Sequence, residues 1–271
     1  MPTFPTEISA SIICHLADDQ NTLQRAALVS REFCFLAQEC LFSTINVGNT
    51  RVLFNLERVL LSSPRSGSIL QAIRTLTFIN MHIPFYSARD SRQDRVLRVL
   101  QLIADNAHRL RAIRFGPFHG LPFRWDSLRE EGRSTLIRLF TLAEELVIEG
   151  FSGVPLSLFP KLEKLKSLDI SASSLSKDTV DDRSVLPSPR SFALHTGILD
   201  CGWLNVAATL RDFKFLPTIN FSSLNTLYLH TPLAPGRNAL YRDVIALCDG
   251  KLLTSLRFYI SLDDECNHLP F

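Results

Sequence analysis

At 271 residues the chain is long enough for a small module plus a second domain with its own core. Its 29 Lys and Arg nearly balance 27 Asp and Glu, which leaves a formal charge of +2, no Lys/Arg block and no electrostatic footprint for nucleic acid. No apolar run reaches the roughly eighteen residues of a membrane span, and Met1-Pro2-Thr3-Phe4-Pro5 lacks the basic region and apolar stretch of a signal peptide, so no membrane partner is expected.

Three helices are predicted first. Pro5 suits the start of a helix, where its missing N–H would have no partner, and Thr6 and Glu7 also favour the first turn. Ile8, Ile12 and Leu16 recur at every fourth residue with Ile13 beside them, which makes one apolar stripe. Asp18 to Thr22 breaks the stripe and offers capping side chains for a second helix over 22–30; a third is expected over 31–40. So short a segment makes only a small core, and such a unit ordinarily needs a partner surface, disulfides or a metal. Either the helices cap the open end of the domain C-terminal to them, or apolar surface from Pro5, Ile8, Leu28 and Val29 is left for another protein.

The order Pro5-x-Glu7-Ile8, Ile12, Leu16, Leu23, Leu28-Val29-Ser30-Arg31, Phe33 and Leu41-Phe42 resembles the F-box, the adaptor-binding module of cullin-based ubiquitin ligases. The likeness spans roughly the first 42 of 271 residues and involves residue types across three helices. The family commonly has Leu-Pro where this chain has Phe4-Pro5, and often Cys at the position of Ser30; neither change removes a charge or a helix former. The family's third-helix aromatic corresponds to Phe33 or Phe35. The whole chain is similar to fungal-type proteins with an N-terminal F-box and a divergent leucine-rich-repeat-like domain. This resemblance implies a Skp-family adaptor as partner and, through it, cullin. Pro5, Ile8, Leu28 and Val29 would carry the contact, with Ile12 and Leu16 holding the helices in place or adding to it.

Beyond the helices, Ile45-Asn46-Val47 reads as a short strand or extended exit, and a helix over 50–62 carries Leu53, Leu56, Val59 and Leu60. An apolar-x-x-apolar-x-apolar unit then recurs, beginning at Ile73, Leu110, Ala143, Leu165, Leu224 and Leu253, with a weaker copy at Phe192-x-Leu194 preceded by Pro189. The central positions 76, 113, 146, 168, 192, 227 and 256 lie 37, 33, 22, 24, 35 and 29 residues apart. Leucine-rich repeats span about 20–29 residues, so the longer gaps have room for helices, expected over 94–107 and 241–248. In such a unit a strand turns its apolar residues inward to stack on the next repeat, and no copy can bury that face alone. The consensus Asn or Cys is mostly missing, which points to an irregular array.

The expected architecture is α/β: a three-helix F-box-like module at 1–45, a linker helix at 46–67 and an irregular leucine-rich-repeat-like solenoid at 68–271. Its outward positions form the candidate substrate-binding surface: Arg74, Arg111, Arg114, Glu144, Glu145, Lys166, Asp169, Tyr228 and Arg257. Three insertions interrupt the array, at 81–93, 116–132 and 171–189. The second holds Phe118, Phe123 and Trp125, either exposed for binding or folded back over a repeat; the third, rich in Ser and Asp, reads as a surface loop.

The sequence offers little converging chemistry. Seven histidines lack ligand spacing, no glycine-rich phosphate loop is present, and six scattered cysteines (14, 34, 40, 201, 248 and 266) contain no CxxC pair. The expectation is therefore no enzyme activity, no cofactor, no metal and no disulfide framework, in a reducing cytoplasmic or nuclear compartment. Three functions are compatible with this reading: a receptor linking a target protein of unknown identity to the ligase adaptor; a non-degradative scaffold whose helices only cap the solenoid; or a decaying paralogue, since the chain ends soon after its last repeat copy.

Overall fold

The computed structural model describes residues 5–62, 66–78, 91–115, 123–171, 175–176, 188–195, 223–232 and 250–261. The fold is mixed α/β with parallel strands, and it divides into two compact units, Met1–Pro84 with Arg89–Ala112, and Phe85–Ala88 with Ile113–Phe271.

The first unit opens with α1 (Thr6–His15), α2 (Gln20–Ala26) and α3 (Arg31–Leu41). Asp19 caps α2 by accepting from the Thr22 N–H at 3.1 Å, and Ser30 caps α3 by accepting from the Phe33 N–H at 3.1 Å. The second helix starts earlier and ends sooner than the expected 22–30. A Ser30 that caps α3 must sit in extended backbone (φ −155°, ψ 169°), so the chain leaves α2 at Ala27 and crosses a turn through Leu28 and Val29. Both α1 and α2 pack on α3, around a core of Ile13, Leu23, Ala26 and Ala37 with Leu16, Phe33, Leu36 and Cys40 partly buried against it.

The unit continues with β1 (Thr44–Val47), α4 (Thr50–Ser62), α5 (Ser66–Ala72), β2 (Thr75–Phe78) and α6 (Ser91–Asn106). β1 and β2 are parallel, with buried Ile45 opposite Leu76 and Val47 opposite Phe78. Helix α4 has its expected bounds and buries Leu53, Leu56 and Leu60. Its Glu57, 3% exposed, is held by Arg95 of α6, whose Nε donates to the carboxylate at 2.7 Å while the guanidinium lies 4.3 Å over the Phe54 ring. Helix α5 was not expected, because the stretch Ser62 to Gly67, with Pro64 and Gly67, reads as the end of the preceding helix. Burial of Ile69, Leu70 and Ala72, on a helix that packs with α3, α4 and α6, overrides that local preference.

The second unit takes β3 (Ala112–Phe115) from Ile113 onward, then β4 (Phe123–Arg124), α7 (Glu130–Leu142), β5 (Glu145–Glu149), β6 (Phe151–Ser152), β7 (Val154–Pro155), β8 (Ser167–Ser171), β9 (Leu175–Ser176), β10 (Ser191–His195), β11 (Thr226–Pro232) and β12 (Ser255–Ser261). The short strands pair in parallel as β4 with β6 and β7 with β9. The main ladder runs β3, β5, β8, β10, β11, β12, and from β5 onward each neighbour pair is parallel in one register, Leu146 opposite Leu168, then Phe192, Leu227 and Leu256. Those are the central positions of five recurrent units. Parallel strands need long crossovers. The 33 residues from Ile113 to Leu146 hold helix α7, whereas the 22 from Leu146 to Leu168 hold no α-helix, only the short strands β6 and β7 and a 3-10 segment, Leu156–Lys161. Gly150, at φ 72°, turns the chain after β5, and its carbonyl accepts from the Phe123 N–H at 2.8 Å.

A shared backbone device sets the register in both units. At the start of six strands, two consecutive N–H groups donate to one carbonyl that lies just before a neighbouring strand. Arg74 and Thr75 meet Ser43; Arg111 and Ala112 meet Arg74; Lys166 and Ser167 meet Glu144; Arg190 and Ser191 meet Lys166; Asn225 and Thr226 meet Arg190; Thr254 and Ser255 meet Asn225, all at 2.7–3.1 Å. A carbonyl oxygen has two lone pairs, so one atom serves both donors.

Phe123 and Trp125 are buried with Phe115, Phe140 and Phe151, ring centroids 4.6–6.5 Å apart, so this part of the second insertion covers the repeats. Residues 79–90, 116–122, 172–174, 177–187 and 241–248, which include parts of the three insertions and the last expected helix, lie outside the described residues.

Candidate interaction surfaces

The N-terminal helices hold their apolar residues unequally. Ile13 of α1 is the one that enters the core, with Leu16 partly buried against it. Ile8 and Ile12, one turn apart on α1, are 47% and 41% exposed, while Leu28 and Val29 in the α2–α3 turn are 86% and 72% exposed. Pro5 is exposed at the head of α1. In α3, Phe33 packs inward and Phe35, 52% exposed, points out. The turn that displays Leu28 and Val29 is held on the α2 side by their own N–H groups, which donate to the Arg25 and Ala26 carbonyls at 3.0 Å, and on the α3 side by the Ser30 cap, while Asp19 caps the far end of α2. The Thr22 hydroxyl donates to Asp19 at 2.6 Å and, with the Thr22 N–H, holds the Asp19 carboxyl below its ordinary pKa.

Phe35 also lines a cavity of about 240 Å³ between α3 and α5, with Gln38, Glu39, Ile69, Ala72 and Arg109. Glu39 is shared there by Arg109 at 2.8 Å and Arg74 at 4.0 Å. Phe35, Glu39 and Arg109 were not among the sequence candidates: Phe35 competed with Phe33 for one role, and nothing local links Glu39 to an arginine 70 residues later.

Of the outward strand positions, Arg74 and Arg111 belong to the first unit and are exposed. In the second unit Arg114, Glu145, Lys166 and Arg257 are exposed, and Glu144, Asp169 and Tyr228 are half-buried. Ladder register places Val147, Asp169, Ala193, Tyr228 and Arg257 in one row across five strands. Charges on this face are partly paired with one another, Lys166 with Glu144 at 3.0 Å and Arg114 with Glu145 at 3.6 Å. A partner would have to exchange those pairs, which favours selectivity over raw affinity. Glu149, the next outward residue of β5, escaped the sequence reading although the alternation continues through it; burial, then the Asp169 carboxylate, pushes its pKa up.

Among the described residues no group of three or more His, Cys, Asp or Glu side chains could hold a metal ion, and no helix is long and apolar enough to cross a membrane. No protein-family model matches the chain, and no curated protein matches it.

Proposed function

We propose that the chain is the substrate-recognition subunit of a Skp/cullin/F-box ubiquitin ligase: the three N-terminal helices dock on a Skp-family adaptor, and an irregular leucine-rich-repeat-like array holds a target protein. The observation that carries the proposal is the exposure of Ile8, Ile12, Leu28 and Val29 on a module whose own core is Ile13, Leu23, Ala26 and Ala37. These apolar groups gain nothing from solvent, and they stand at positions where the F-box resemblance expects adaptor contacts. The outward row of the ladder, from Glu145 and Asp169 to Tyr228 and Arg257, is the matching surface for a target.

One observation favours a second proposal, a non-degradative scaffold. α3 packs on α5 and Ser43 receives the first hook of the β1–β2 pair, so the helices are built into the first compact unit as a cap would be. One experiment separates the two. Purified chain is titrated with a Skp-family adaptor; a saturable one-to-one complex is the receptor result, and failure of the wild-type chain to bind leaves the scaffold.

A further inference from the structure

We propose that Cys14 and Cys40 form a redox-modification site, in which a peroxide converts the two thiols to a disulfide that staples α1 to α3. Cys14 is the penultimate residue of α1 and Cys40 the penultimate residue of α3, two helices that pack directly on each other. Ile13, next to Cys14, belongs to the small core against which Cys40 packs. Cys14 is among the groups whose nearness shifts the Cys40 thiol, so the two thiols face each other across this packing. The third cysteine of the module, Cys34, precedes Cys40 by six residues, which turns it to a different side of α3 at 3.6 residues per turn. This inference does not depend on the adaptor proposal.

The environments of the two thiols assign the order of events. Cys14 is exposed and meets the oxidant first. Cys40 is partly buried; burial, then the neighbouring Cys14 and Glu39, pushes its thiol up, while Arg74 acts the other way. The Cys14 sulfur attacks one peroxide oxygen, the O–O bond breaks, and the departing oxygen leaves as water with the Cys14 proton. The resulting sulfenic acid is attacked at sulfur by Cys40, and its hydroxyl leaves as a second water with the Cys40 proton. Two thiols are oxidised by two electrons, and one peroxide is reduced to two waters. Closing the 14–40 loop restricts the unfolded chain, so the oxidised module resists unfolding more than the reduced one.

The test uses the full chain in native buffer with stoichiometric hydrogen peroxide, followed by alkylation and combined digestion after Lys/Arg and after Glu. Cleavage at Glu39 separates Cys34 (peptide 33–39) from Cys40 (peptide 40–51), and Cys14 lies in peptide 8–25. The expected product is 8–25 joined to 40–51, two hydrogens lighter than the sum, lost on dithiothreitol treatment, absent in Cys14→Ser and Cys40→Ser and retained in Cys34→Ser. The thermal midpoint of the oxidised wild-type chain should exceed that of the reduced chain. Recovery of Cys14 as alkylated or sulfinic peptide without the linked product, or its linkage to another cysteine, overturns the proposal on the wild-type chain alone, without reliance on the variants.

Discussion

The double variant Ile8→Asp/Leu28→Asp separates a docking face from a structural one. Complete burial of an Ile or Leu side chain is worth about 1.5–3 kcal/mol. Ile8 is 47% exposed and Leu28 86% exposed, so a partner that covered both would gain roughly 1 and 2 kcal/mol from the remainder. Losing that sum of about 3 kcal/mol weakens adaptor binding on the order of a hundredfold, and burying two carboxylates in the contact weakens it further. Stability should change far less. Ile8 forfeits its buried half, about 1 kcal/mol, but the new carboxylate sits in the first turn of α1, where the helix dipole returns about 0.3–1 kcal/mol. Leu28, almost wholly in solvent, contributes within about 0.5 kcal/mol. The assay is calorimetric titration with a Skp-family adaptor alongside urea unfolding of the same preparations. Ile13→Asp is the contrast, since it puts a carboxylate into the core and should unfold the module. Equal affinity for wild type and double variant would refute the placement of the contact on this face.

Four further outcomes are expected. Leu168→Ala, at a fully buried position of the ladder, should cost about 2–5 kcal/mol in urea unfolding, and Leu256→Ala, on the partly exposed last strand, much less. Because the folded pKa of Asp19 lies below its ordinary 3.8, the cap contributes stability above that pH and loses it as acidification passes the folded pKa; Asp19→Asn should remove this part of the acid unfolding profile. Glu149 has the opposite sign: its raised folded pKa stabilises the protonated form, so its favourable contribution is present below the ordinary 4.5 and is lost as pH rises through the folded value, and Glu149→Gln should retain stability at pH 7 better than wild type in paired urea curves. Glu144→Lys/Glu145→Lys removes the pairs with Lys166 and Arg114, solvent-exposed interactions worth within about 1 kcal/mol each, so the fold should persist while the set of co-purifying target proteins changes; an unchanged set removes this face from consideration.

The sequence by itself determined the periodic features. Side chains at every second strand position must share a face, so the spacing at Leu146, Leu168, Phe192, Leu227 and Leu256 already contained the ladder register, and the polar stretch Asp18 to Thr22 marked the start of the second helix through local capping chemistry, whereas Ser30, read as the end of that helix, caps the third. What depended on distant residues was decided only by the tertiary structure. Ile8, Ile12 and Ile13 are chemically alike and lie within one helix, yet only Ile13 meets the core of Leu23, Ala26 and Ala37, and Phe33 rather than Phe35 joins it for the same reason. Helix α5 exists because its apolar side is buried despite the Ser66-Gly67-Ser68 start, and Trp125 is buried because Phe140 and Phe151 converge on it from α7 and β6. Ion pairs such as Glu57 with Arg95 and Glu39 with Arg109 join residues 38 and 70 positions apart, a separation across which neither helical nor strand periodicity carries information, so only the packed fold selects the partner.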